Sequence, residues 1–356
     1  MFDAVGMVSV VRCERLLKFM QRAIVFGGTA ALILLIPERG LAEELPRLVF
    51  SVTDRLASLR QTTVPPDIVS EYPLPSELLW EYQRAPNPRK SYVRYWTTPS
   101  GLNILRDAPA DHLHHHGLMF AIGVDDVDFW AEDNLSGHQR EAGGFQSGTK
   151  VLSRDGQNLR MAWVTQQLEW RNSDLSEVLL VENRQVMWAE IGPREGRPGV
   201  RLVLWKSELS LPAAKETARL WGRPYFGLGI RFIEAMDKTG QFFNAIGAEG
   251  VKETNGARAP WCAYRVQVGD RPVTVAMMDH PDNPRHPASW FTMVEPFAYL
   301  SATLGLHTEP ISLRSGEKLR VMYGVASWDG SIAAEEITSL SRGEFPRLCE
   351  ELGGNQ

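Results

Sequence analysis

The sequence predicts an all-β chain: a large antiparallel sandwich of two stacked, twisted sheets with a short C-terminal helix. Three observations carry this expectation. Beyond residue 42 the chain breaks into short runs rich in β-branched and aromatic residues, separated by Gly, Pro, Asn and Asp. Several runs alternate polar with apolar residues, as half-buried antiparallel strands do, notably 201–211 and 319–325. No long helical pattern competes with them before the last thirty or so residues.

The elements follow in order. Arg12, Arg15, Lys18 and Arg22 precede an apolar stretch over 23–36, and Gly40-Leu41-Ala42 supplies small residues where a signal peptidase cuts. Residues 1–42 are therefore expected to be a secretory signal cleaved after Ala42. The stretch is shorter than the ~20 residues of a membrane helix, so an uncleaved anchor is the alternative and no stable span is expected after cleavage. The mature protein is then secreted or periplasmic. A Pro-rich entry at 64–66 and 72–75 leads to expected strands at 78–82, 119–124, 161–168, 178–188, 201–211, 227–233, 263–268, 273–278, 297–302 and 318–327. A helix is expected over 332–340, with Ser331 as its cap, Glu335 and Glu336 in the early turns, and Ile332, Ile337 and Leu340 on one side, closing a sandwich edge. So many strands without a Pro/Ser-rich linker argue for one domain over 43–348, followed by a tail over 349–356.

Composition excludes several classes. The formal charge is −5, and no basic run interleaves with aromatics, so a nucleic-acid partner is not expected. There is no phosphate-binding loop ending in Gly-Lys-Ser/Thr and no zinc-finger cysteine spacing. Gly227-Leu228-Gly229 leads into a strand-like run rather than a helix, so it is no dinucleotide fingerprint. Cys13 would leave with the signal. Cys262 and Cys349 remain, either as one disulfide or as two buried thiols.

Chemistry concentrates in two segments. Four of the eight histidines, His112, His114, His115 and His116, fall within five positions, just after Arg106, Asp107 and Asp111. Histidine titrates nearest neutral pH and is the commonest metal ligand. If the segment is extended, His112, His114 and His116 share one face and His115 takes the other. On a strand, His112 and His114 stand roughly 6.5 to 7 Å apart at the backbone, close enough to converge on a divalent metal ion with a third ligand from elsewhere. The second segment, 278–287, places Asp279, His280, Arg285 and His286 among three prolines that stiffen the loop. Trp130 and Trp290 lie in loop-like contexts, where indole faces can stack on sugar rings. The plainer alternatives are that Arg106 and Asp107 pair on the surface and that the prolines only shape a connection.

These elements resemble a known family. Thr98-Pro99-Ser100-Gly101, Arg106-Asp107, Asp111-His112 with His114-His115 and Gly117-Leu118, Asp128-Phe129-Trp130, Gly227-Leu228-Gly229-Ile230-Arg231, the 279–287 segment, and Gly316-Glu317 with Leu319, Tyr323 and Asp329-Gly330 occur in this order. Over residues 45–345 the chain is similar to the PmoA-like family, known as "methane oxygenase PmoA" and otherwise treated as a domain of unknown function. His116 departs from the family pattern, as does Pro224-Tyr225-Phe226, where an acidic residue often stands. The membrane-embedded PmoA subunit of methane monooxygenase has several spanning helices, whereas this chain has one short apolar segment. The resemblance implies a galactose-mutarotase-like supersandwich.

The expected function is that of a carbohydrate-active protein performing hydrolysis, elimination or epimerisation at a sugar. His115, His280 and His286 with Asp279 are the expected catalytic set, Arg106, Asp107, Trp130, Arg285 and Trp290 the expected substrate contacts, and His112 and His114 the candidate metal ligands. The alternatives are a non-catalytic glycan-binding protein and a metal-dependent oxygenase. All versions require the two His-rich segments to meet in one cleft.

Overall fold

The computed structural model describes residues 45–65, 75–84, 89–154, 156–194 and 196–354. The expected signal over 1–42, Cys13 and most of the Pro-rich entry lie outside the described residues. Among the described residues every strand pairing is antiparallel, forming two eight-stranded sheets and one four-stranded sheet. The first sheet orders Arg47–Val52, Leu56–Thr62, Glu77–Gln83, Tyr92–Trp96, Leu118–Ala121, Gly227–Arg231, Tyr299–Thr303 and Ser289–Met293. The second orders Gln241–Asn244, Trp261–Val268, Arg271–Asp279, Lys318–Asp329, Val200–Ser210, Val178–Ile191, Gln157–Arg171 and His138–Arg154. The small sheet joins Ile311–Arg314, Thr217–Trp221, Gly123–Val124 and Val127–Asp128. No helix among the described residues is long and apolar enough to cross a membrane.

The main core lies between the large sheets. Leu59, Trp80 and Trp96 from the first meet Trp170, Trp188, Val203 and Trp205 from the second, all fully buried. A buried ion pair ties the layers together: Arg184 bonds Glu182 (2.7 Å) on its own strand and the Ser91 carbonyl (2.7 Å). Such a pair costs desolvation, and its bonds to backbone and side chains on both sides are what offset that cost.

The alternation of Val200–Ser210 was expected to put polar residues outward. In the folded protein Val203 and Trp205 face the main core, while Leu202 and Leu204 enter a second cluster with Ile337, Leu340, Phe345 and Leu348. Over Leu202–Trp205 the strand is apolar on both faces because helices cover its outer side, whereas Lys206, Glu208 and Ser210 alternate outward as expected. Two helices do this, Ala334–Arg342 and Glu344–Gly354, so the closing helix lies on a sheet face rather than an edge, and residues 349–354 of the expected tail are helical. Ser331 does not cap: the helix starts from Ala333 without a side-chain cap, and Thr274 Oγ1 instead takes the Ile332 N–H at 3.1 Å. Ile332, Ile337 and Leu340 are buried together as expected. Each contributes on the order of 1.5–3 kcal/mol through burial.

The chain also forms strands outside the expected runs, among them Arg47–Val52, Leu56–Thr62, Tyr92–Trp96 and Thr217–Trp221. The expected 119–124 strand divides, Leu118–Ala121 joining the first large sheet and Gly123–Val124 the small one. His138–Arg154 forms a long edge strand from a Gly-, Ser- and Lys-bearing segment with no apolar alternation, since a strand paired on one side needs little burial. Cys262 and Cys349 are buried free thiols.

Candidate active site

The 109–116 segment is turned, not extended. The Pro109 carbonyl accepts the His112 N–H at 2.9 Å, and the His112 carbonyl accepts the His115 N–H at 2.9 Å. The expected alternation of faces therefore fails. His112, His114 and His115 line one cavity, and His116 turns away from it. Gly117 follows with φ 32°, where a Cβ would come within 2.2 Å of the Val93 carbonyl oxygen. Only glycine lets the chain turn there into Leu118–Ala121.

The cavity has a volume of about 330 Å³. Trp130, Tyr225, Phe297 and Tyr299 complete most of its wall. His112 stacks on His115 with centroids 4.6 Å apart and planes at 16°, while His114 meets His115 edge-on at 4.6 Å. The floor depends on Gly229: a Cβ there would come within 1.9 Å of the Tyr299 hydroxyl and 3.1 Å of the Trp130 ring. That is the physical content of the Gly-x-Gly pattern, which makes room for two aromatic walls. Nδ1 of His112, Nδ1 of His115, Nε1 of Trp130 and the Tyr299 hydroxyl are buried with no hydrogen-bond partner among the described residues. Buried polar atoms are normally satisfied, so four orphans around one cavity point to a polar ligand.

Electrostatics separates the histidines. Burial, reinforced by His114 and His112, pushes the His115 imidazole down to about 2, so it is neutral at physiological pH. His114 is lowered by burial and by Lys90. His112 Nδ1 lies 3.2 Å from Asp111 Oδ2, off the line of a hydrogen bond, and Arg231 Nη2 holds the same oxygen at 3.0 Å. At Asp111 burial opposes ionisation, but His112 and Arg231 outweigh it and hold the carboxyl below the usual range.

A buried charge network supports this wall. Lys90 Nζ bonds the Trp130 carbonyl (2.7 Å), the His114 carbonyl (3.3 Å) and Glu132 (3.0 Å). Glu132 also reaches His116 Nε2 at 3.2 Å, and His116 Nδ1 reaches Asp107 at 2.7 Å. At Glu132 burial raises the carboxyl, but His116 and Lys90 prevail and bring it to about 2. Asp107, expected as a substrate contact, is thus committed to His116, to the Tyr92 hydroxyl (3.1 Å) and to Arg94 (3.4 Å). Arg106 faces Glu234 (3.3 Å) and Asp237 (3.8 Å), and neither Arg106 nor Asp107 lines the cavity. They do not pair with each other because successive residues point to opposite sides of the chain.

The expected metal site finds no supporting geometry. His112 and His114 are edge-on at 5.7 Å, and among the described residues no group of three His, Cys, Asp or Glu side chains could hold an ion.

The second His-rich segment lies elsewhere. Leu118 is in register with Ile230, then Leu300, then Thr292, whereas Gly227 is in register with Thr303 and Ser289. The 112–116 turn therefore enters the first sheet level with the end of Ser289–Met293, and the 279–288 loop enters at its start. His280 and His286 do not line the histidine cavity. Buried Asp279 accepts from His286 Nδ1, Asn283 Nδ2 and the Ala288 N–H, each at 2.7 Å. Asn283 returns to the Met322 backbone, and the His280 ring meets Phe345 edge-on at 5.8 Å. This is a locked loop, and its histidines do not join His112, His114 and His115 in one cavity, while Arg285 lines a neighbouring one. Trp290 is buried with its indole N–H on the Ala259 carbonyl at 2.8 Å, so its face is not open for stacking. Trp130 does line the cavity.

Residues 74–342 match the model of a family of unknown function, DUF6807. The chain belongs to DUF6807. No curated protein matches it. Among solved structures, the galactosidase domain of the alpha-galactosidase-sucrose kinase AgaSK aligns at 8% identity and a TM-score of 0.29, covering 80% of this chain. The DUF6807 chain spans 41% of that protein.

Within the DUF6807 region, sequence reasoning missed Lys90, Glu132, Arg231, Tyr225, Phe297 and Tyr299. Lys90 follows Arg89 and reads as a surface base, and the aromatics read as core. Arg231 carried the one available signal, a charge ending an otherwise apolar Gly-Leu-Gly-Ile run.

Proposed function

We propose that this DUF6807 protein is carbohydrate-active, binding one sugar ring in the His112–His114–His115 cavity and transferring a proton at that ring. The observation that carries the reading is the set of four orphaned polar atoms, on His112, His115, Trp130 and Tyr299, in an otherwise aromatic wall. Aromatic faces suit the apolar side of a sugar ring, and orphaned donors suit its hydroxyls. About 330 Å³ sits at the small end of the roughly 300–1,000 Å³ of small-molecule sites.

His112, rather than His115, carries the proton in this reading. Asp111, held by Arg231, sets a negative charge 3.2 Å from His112 Nδ1, which favours the ring proton on that nitrogen and leaves Nε2 as the base. His115, at about 2, is too weak a base and serves as a neutral hydrogen-bond partner. Proton abstraction fits epimerisation or elimination better than hydrolysis, which in most glycosidases uses two facing carboxylates, because no carboxylate lines this cavity. That same feature favours a second reading, glycan binding without turnover. A glycan panel followed by proton NMR in deuterated water tests both. Turnover or solvent exchange at a ring carbon, lowered about 10²- to 10⁴-fold by His112→Asn, supports the enzyme. Binding without either supports the second reading, and no binding by any sugar sinks both.

We further infer that the protein works in the periplasm or outside the cell, on the basic-then-apolar pattern of residues 1–42. N-terminal sequencing of the exported protein should begin at Glu43.

A further inference from the structure

A second cavity, of about 440 Å³, adjoins the histidine cavity, and Phe291 lines both. Their walls also run together along the chain, Pro224 lining one and Tyr225 the other. Where the first cavity is aromatic, the second is charged: Arg258, Arg285 and His307 line it against Glu309.

The two arginines are held by neutral acceptors. Arg258 donates from Nε to the Pro287 carbonyl (3.1 Å) and from Nη2 to the carbonyls of Arg285 (2.7 Å) and His286 (3.3 Å). Arg285 donates from Nη1 to the carbonyls of Leu304 (2.8 Å) and Glu309 (2.7 Å). Carbonyls fix the guanidinium planes without cancelling their charge. The Glu309 carboxylate is 3.6 Å from Arg285 Nη2 and 80% exposed, so solvent screens it. Nη1 of Arg258 and Nε of Arg285 have no partner among the described residues. Two oriented cations, exposed Arg258 and half-buried Arg285, face one exposed anion over a floor that includes buried Trp290, which leaves a net positive charge in a concave site.

We propose that this second cavity is an anion subsite, taking a carboxylate or sulfate-ester group on the sugar unit next to the one in the histidine cavity, so that the ligand is an acidic oligosaccharide. This rests on the sugar-ring reading of the first cavity.

Calorimetric titration with three matched trisaccharides, one neutral, one carrying a uronate and one carrying a sulfate ester, tests it on the wild type, Arg258→Gln and Glu309→Gln. The acidic ligands bind the wild type about 10-fold tighter than the neutral one, and Arg258→Gln removes that advantage by weakening the acidic ligands about 10-fold more than the neutral one. Glu309→Gln, at an exposed position that folding tolerates, enlarges the advantage about 2- to 5-fold. The advantage shrinks in high salt. The uronate and sulfate arms tell which oxyanion is preferred. Equal binding of neutral and acidic ligands, an advantage that survives Arg258→Gln, or no gain in Glu309→Gln overturns the subsite while the first cavity stands. Failure of the neutral ligand and both acidic ligands to bind overturns the sugar reading and the subsite with it. Should Arg258→Gln fail to fold, the Glu309→Gln arm decides alone.

Discussion

Lys90 donates from Nζ to the carbonyl of Trp130 at 2.7 Å, so a fully buried cation holds the backbone of a cavity wall. The same ammonium reaches Glu132 and the His114 carbonyl. Burial lowers the Lys90 pKa, against the pull of Glu132. One residue in the core thus fixes two segments, 112–116 and 128–132, against each other.

Replacing it should be costly. Lys90→Met leaves Glu132 short of a partner and two carbonyls without a donor, and should destabilise the protein by about 3 kcal/mol or more. Adding Glu132→Gln should recover part of the loss, because the uncompensated charge is then gone. Urea denaturation of the single and double variants measures both. A single-variant loss below about 1 kcal/mol would mean that the network does not hold the wall.

Gly229→Ala should close the cavity while preserving the sheet. The added methyl meets the Tyr299 hydroxyl and the Trp130 ring, so one of them must move. A stability loss of about 1–3 kcal/mol is expected, together with loss of sugar binding. Unchanged binding in Gly229→Ala would show that ligand does not use this wall.

The histidine cavity should make the fold acid-sensitive. His115 protonates in the unfolded chain near its ordinary 6.5 and in the folded protein only at about 2. Above pH 6.5 the ring is neutral in both states and contributes nothing; below it the unfolded chain takes the proton first, so stability falls with pH, by up to about 1.4 kcal/mol per unit. Glu132 acts later and in the same direction: its stabilisation is present above its ordinary 4.5 and is lost as pH falls toward about 2. His114, His138 and His280 are also lowered, chiefly by burial. Comparison of the wild type with His115→Gln isolates the one proton. Equal slopes for the two proteins between pH 6.5 and 4.5 would contradict the buried neutral ring.

The thiols should be silent. Burial pushes both Cys262 and Cys349 well up, which disfavours the reactive thiolate. In a Cys13→Ser background, a thiol reagent should label neither in the native state and both in guanidinium. Labelling of neither after unfolding, reversed by reductant, would reveal a disulfide.

The two His-rich segments show how far sequence reading reaches. Density of imidazoles picked out His112, His114 and His115, which do share a cavity with Trp130. The grouping of 279–287 as a polar, proline-stiffened loop was also legible, because proline and Asx chemistry is local. Their separation was not, since it depends on the register of Leu118–Ala121, Gly227–Arg231, Tyr299–Thr303 and Ser289–Met293, in which no histidine takes part. Nor was the difference between His115 and His116 legible: Pro109 and Gly117 set the turns, and the turns decide which ring meets aromatics and which meets carboxylates.

By itself the order of residues determined an all-β architecture, a terminal amphipathic helix and the place where imidazoles crowd, since each follows from patterns a few residues long. Tertiary structure alone decided that Lys90 is buried, that a second helix covers an outer sheet face, that Gly229 stands beneath Tyr299, and that Arg258 joins Arg285 in a neighbouring cavity. Those facts arise from contacts between residues tens to hundreds of positions apart, where the cost of burying a charge or a bare polar atom depends on partners that no short stretch of chain contains.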